Sequence, residues 1–87
     1  MADLHLPPTL PPLFLDLPRR LEVDAATVEE AIERLDERWP GLRDRLCEQG
    51  SALRPHINVY VDRMRAGLDT ELDQRSRVDV IAAISGG

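Results

Sequence analysis

The residues best placed to do chemistry in this 87-residue chain are Ser85, Gly86 and Gly87, which follow a Val/Ile-rich run. Glycine gives up the most conformational freedom on ordering, so a packed domain gains nothing from closing on two of them. What paired glycines offer is a slender arm, free of side chains, that carries the α-carboxylate of Gly87. With a pKa of about 3.3 to 3.7, that carboxylate is ionised near neutral pH and able to attack the α-phosphate of a nucleotide. A Cβ on Gly86 or Gly87 would crowd any narrow channel the arm must thread. The alternative is a frayed end with no role.

No other residues suggest catalysis. Cys47 follows Leu46 in a predicted turn with no nearby histidine to activate it. It reads as a packed thiol, not a nucleophile or sulfur relay. His5 and His56 lack partners at metal-ligand spacing. There is no phosphate-binding glycine loop, dinucleotide fingerprint or nucleophile elbow. Asp69, Glu71 and Asp73 lack the glycine and spacing of an EF-hand and read as solvated. The expectation is a protein that is not itself an enzyme and binds no metal or cofactor of its own.

Composition narrows the partners. A formal net charge of −5 argues against nucleic acid, whose phosphates need a basic face. All 11 basic residues are arginine, so no side-chain amine is present to capture an activated terminal acyl group; only the α-amino group of Met1 could. With 43% hydrophobic and 31% charged residues, the chain suits a single soluble domain. At this length a domain buries about 60 to 65% of the surface its unfolded chain exposes, too little for a deep cleft. No apolar run nears the roughly 20 residues that cross a bilayer. The opening Met1-Ala2-Asp3 lacks the basic region of a secretory signal, and one cysteine fits a reducing compartment. A cytosolic protein with no membrane partner is expected.

The strongest local signal is a helix. Thr27 followed by Glu30 forms a capping box, and Val28, Ala31, Ile32, Leu35 and Trp39 make one apolar stripe of a 3.6-residue period. Acidic Glu29 and Glu30 suit its positive end, and Arg34 and Arg38 its negative end. Pro40-Gly41 ends it, and a short helical turn spans Leu42 and Leu46. Before it, alternation predicts strands over 3–6 and 19–24, joined by a proline-rich loop in which Leu10, Leu13, Phe14, Leu15 and Leu17 need burial. Pro8 and Pro11 also fit a PxxP ligand, though a structured loop is the favoured reading. After the helix, 56–61 is a strand with Ile57, Val59 and Val61 on one face. Residues 62–67 turn the chain, and 68–75 is a short strand or a turn around Leu72. The last strand covers 77–84 and feeds the tail.

Strands flanking one long helix, in the order β-β-α-β-(β)-β, call for a mixed sheet of four or five strands wrapped on that helix. This is an α+β, ubiquitin-like β-grasp domain over 1–84, with the last strand parallel to the first and a mobile tail over 85–87.

Several segments together resemble the ubiquitin-like sulfur-carrier family (ThiS and MoaD), and most of all its cysteine-forming CysO type. They are Leu6-Pro7-Pro8-Thr9-Leu10, Ala26-Thr27-Val28-Glu29-Glu30-Ala31-Ile32, Trp39-Pro40-Gly41-Leu42 and Ile57-Asn58-Val59-Tyr60-Val61-Asp62. The terminal strand running into Ser85-Gly86-Gly87 is the most specific of them. The resemblance implies that an E1-like enzyme adenylates Gly87 with ATP and that a sulfur donor converts the product to a thiocarboxylate. A sulfur-accepting biosynthetic enzyme then uses it, for cysteine or another sulfur-containing metabolite. The small subunit of molybdopterin synthase, a ubiquitin-like protein modifier and a plain interaction module are the alternatives. The short 62–65 turn departs from relatives, which often carry Asn-Gly or Asn-Asp there. Partners are expected to dock beside the tail on Tyr60, Ile81 and Ile84, joined by Phe14; scattered surface hydrophobes are the competing explanation.

Overall fold

Thr27 sets the start of the main helix. The computed structural model describes residues 1–49 and 52–83. In it Thr27 is extended, and its hydroxyl accepts a hydrogen bond from the Glu30 amide at 3.1 Å, satisfying one orphan donor of the first turn. Helix α1 (Val28–Arg38) buries Val28, Ala31, Ile32 and Leu35. It stops at Trp39, and Gly41 takes a φ of 97°, which glycine adopts freely. Asp36 Oδ1 then accepts from the Gly41 and Arg43 amides at 3.1 and 3.0 Å. That carboxylate ties α1 to the short helix α2 (Leu42–Leu46), whose Leu42 and Leu46 are buried.

Strands β1 (Ala2–His5), β2 (Arg20–Val23), β3 (Ile57–Val61), β4 (Met64–Ala66) and β5 (Arg77–Ala82) form one sheet in the order β2-β1-β5-β3-β4. The central β1–β5 pair is parallel, with Leu4 opposite Val78, and the other pairs are antiparallel. Strand alternation sends Leu4, Val59, Val78 and Val80 into the core with the α1 stripe. This is the expected β-grasp architecture: a mixed five-stranded sheet holding one main helix.

Two local expectations are corrected. Residues 62–67 are not merely a turn, because Met64–Ala66 returns as β4 antiparallel to β3. The reversal uses Asp62 and Arg63 at φ 50° and 71°, left-handed conformations suited to a tight hairpin. Residues 68–75 are consequently no strand but a strap over the start of α1. Val28 N–H donates to the Thr70 carbonyl at 3.0 Å, Glu29 N–H to the Leu68 carbonyl at 2.9 Å, and Leu72 N–H to the Ala26 carbonyl at 2.8 Å. Backbone thus caps backbone across forty residues of sequence.

The proline-rich loop is structured, but only partly as expected. Leu10 and Leu17 bury and Phe14 packs in part, whereas Leu13 and Leu15 stay exposed. Leu10 is helical and Pro11–Leu13 forms a 3-10 turn, so residues 8–11 do not offer the extended polyproline ligand of the interaction-module reading.

Left-handed backbone costs a residue with a Cβ about 1 kcal/mol. Arg63→Gly is therefore expected to raise stability by about 1 kcal/mol, read from urea unfolding. Asp62 should not share the gain. Its Oδ1 accepts from the Arg77 amide at 2.9 Å, a bond that glycine would delete.

Candidate functional site

The helix-free face of the sheet is a ladder of polar side chains fixed by strand register. His5 stands opposite Arg20 on one side and Asp79 on the other, Asp79 opposite Tyr60, and Ile81 opposite Asn58. Tyr60 and Ile81 are therefore diagonal neighbours on one surface. Tyr60 is half-buried and Ile81 exposed. Phe14 does not join them. It lines a hollow with Leu15, Trp39 and Pro40 at the end of α1, and a Cβ on Gly41 would lie 3.8 Å from its ring. The Trp39 indole N–H donates to the Leu15 carbonyl at 2.9 Å, and the Arg38 guanidinium sits 4.5 Å over the indole. Ile84, Ser85, Gly86 and Gly87 lie outside the described residues. Before them, Ala83 N–H donates to the His56 carbonyl at 2.7 Å, extending the β5–β3 pairing by one bond.

The same face holds a cluster that the sequence did not reveal. Asp3 accepts from Arg20 Nε and Nη2, both at 3.0 Å, and its Oδ2 lies 3.1 Å from His5 Nε2. Seventeen residues separate Asp3 from Arg20, so only the β1–β2 register brings them together. The Arg20 hydrogen bonds hold the Asp3 carboxyl below its usual range, with His5 contributing less. A lowered folded pKa stabilises the protein above the ordinary aspartate value and loses that contribution as pH falls through the folded one. Arg20 is 69% exposed, so solvent screens the pair and its contribution to stability is small. Asp3→Asn is thus expected to lower stability only slightly near neutral pH. Urea unfolding at several pH values should show the gap closing below about pH 4.

The sequence profile described as the ThiS family matches residues 14–87. The chain belongs to the ThiS family. Small archaeal modifier protein 3 of Haloferax volcanii is 34% identical over 68 residues, 74% of this chain and 73% of that protein. The crystal structure of the BexX/CysO complex of Amycolatopsis orientalis contains a chain that superposes at a TM-score of 0.86 and 26% identity, covering 100% of each. CysO of Mycobacterium tuberculosis shares the fold at a TM-score of 0.84 and 21% identity, over 97% of this chain and 100% of that one. Members of this kind are ubiquitin-like carriers or modifiers, not catalysts.

Cys47 is buried, and burial pushes its thiol pKa up, only partly offset by Arg43. A nucleophile needs the opposite shift. Among the described residues no three His, Cys, Asp or Glu side chains are grouped to hold a metal ion. Nor is any described helix long and apolar enough to cross a membrane.

Proposed function

We propose that this ThiS-family chain is a sulfur carrier whose reactive group is the Gly87 carboxylate. Residues 1–84 act as the domain that addresses partners, and Ser85, Gly86 and Gly87 as the arm it lends them. An E1-like enzyme binds ATP, and a Gly87 carboxylate oxygen attacks the α-phosphate and expels pyrophosphate. Sulfide delivered by a donor then attacks the acyl carbon and AMP leaves with loss of a proton, giving the thiocarboxylate. A biosynthetic enzyme takes the sulfur for cysteine or another sulfur-containing metabolite, a direction supported by the full-length likeness to the CysO chain of the BexX/CysO complex. The observation that carries this reading is the family match, which runs through Gly86 and reaches Gly87.

A second reading, a protein modifier joined to lysines of targets, is favoured by the 34% identity to a small archaeal modifier protein. Intact mass after incubation with ATP, a sulfur source and the E1-like enzyme separates the two. Replacement of one oxygen by one sulfur supports the carrier. Branched glycine remnants on other proteins, with no such mass change, support the modifier.

A further inference from the structure

Two grooves flank the end of β5, and Ala82 lines both. On the helix-free side the groove measures about 320 Å³, and its walls include His5, Arg19, Arg77, Asp79 and Ile81. On the other side a groove of about 160 Å³ has Leu13, Arg45 and His56 in its walls. Residue 82 therefore lies between two grooves whose walls come from the proline-rich loop, α2 and the sheet, and together these walls form a collar at the end of β5.

The charge of this collar runs against that of the molecule. The chain carries a net −5, yet among the described residues Asp79 is the one carboxylate lining either groove. It is already taken by Arg77, with Nε to Oδ2 at 3.0 Å. Among the described residues Arg19 and Arg45 have no ion-pair partner. One exposed apolar side chain accompanies each, Ile81 at 47% and Leu13 at 52% exposure. Uncompensated guanidiniums beside exposed aliphatic groups, on both sides of one point, form a surface with a defined complement.

We propose that this collar docks on an acidic rim around the channel of the E1-like enzyme that receives the arm, Arg19 and Arg45 each meeting a carboxylate there. The inference rests on the carrier reading above and adds the partner's surface chemistry to it. A glycine arm has no side chain to recognise, so the address must come from residues at its base. Two cations on opposite sides demand carboxylates at matching separation, which fixes orientation and suppresses wrong partners. Arginine serves this position better than lysine for a chemical reason. A guanidinium stays protonated and is not acylated, whereas an amine beside an activated acyl group would capture it.

The test is the KM of the chain in ATP–pyrophosphate exchange catalysed by the E1-like enzyme of the same organism, at low and high salt. Arg19→Glu with Arg45→Glu should raise KM at least about tenfold while kcat holds, and KM of the natural chain should rise with salt. Arg63→Glu, on the distant hairpin, should behave as the natural chain. Arg19→Lys with Arg45→Lys should retain docking, since the charges remain, and circular dichroism confirms that each variant is folded. An unchanged KM in the folded double-Glu variant, or no salt dependence, overturns the collar and leaves the carrier reading standing. Absence of exchange with the natural chain overturns both.

Discussion

Deleting Gly87 is expected to leave the melting temperature unchanged and to lower ATP–pyrophosphate exchange at least about a hundredfold. The new terminus, Gly86, carries an equivalent carboxylate, so the loss isolates reach from intrinsic reactivity. One residue of extended chain spans about 3.3 to 3.6 Å, and a misplacement of about 1 Å at a reacting centre can cost a hundredfold in rate. The shortened arm therefore holds its carboxylate too far from the α-phosphate for attack. Folding should be indifferent, because the described core runs from Ala2 to Val80. Gly87→Ala keeps the length and asks only whether a Cβ fits the channel. Exchange at the natural rate from the shortened chain would show that Gly87 is not the handle.

How much of this was legible in the sequence depends on the range of the interaction involved. Helix α1 was readable because its signals are local: the Thr27 hydroxyl reaches an amide three residues away, and the stripe repeats within eleven. The parallel pairing of β1 with β5 follows from the order of elements, since a small mixed sheet gripping one helix brings its last strand beside its first. Strand β4 leaves no such signal because its hairpin lacks the Asn-Gly signature; Asp62 and Arg63 adopt left-handed backbone without advertising it. The strap over 68–75 was unreadable for a different reason. Its carbonyls serve amides of Val28 and Glu29, and backbone-to-backbone caps leave no trace in side-chain types.

The site divides along the same line. Tyr60 and Ile81 share a face because period-2 alternation within β3 and β5 is a local rule. Hydrophobicity alone groups Phe14 with them, whereas the loop turns it towards Gly41 and the end of α1. Asp3 with Arg20, and Arg19 with Arg45 around Ala82, depend on strand register and loop closure, which composition does not encode.

The opposite experiment to the terminal deletion strikes the scaffold and spares the arm. Leu35 is 1% exposed and packs in the core cluster with Leu4 and Val78, so Leu35→Ala removes buried methyl groups and leaves a cavity. Such changes cost about 2 to 5 kcal/mol, against a total of about 4 to 13 kcal/mol for a chain of this length. At about 4 to 8 °C per kcal/mol for a domain of this size, a 3 kcal/mol loss lowers the melting temperature by about 12 to 24 °C. Leu15→Ala, at an 86% exposed position, should stay within about 0.5 kcal/mol of the natural chain. Below its own melting transition, however, the Leu35 variant should show the natural KM and kcat in exchange, because Leu35 lines neither groove of the collar. Stability lost with chemistry intact here, and chemistry lost with stability intact on deleting Gly87, is the pattern required of a fold that only carries and addresses a reactive end. A Leu35 variant that is folded yet unreactive would mean that the partner enzyme reads the core packing itself.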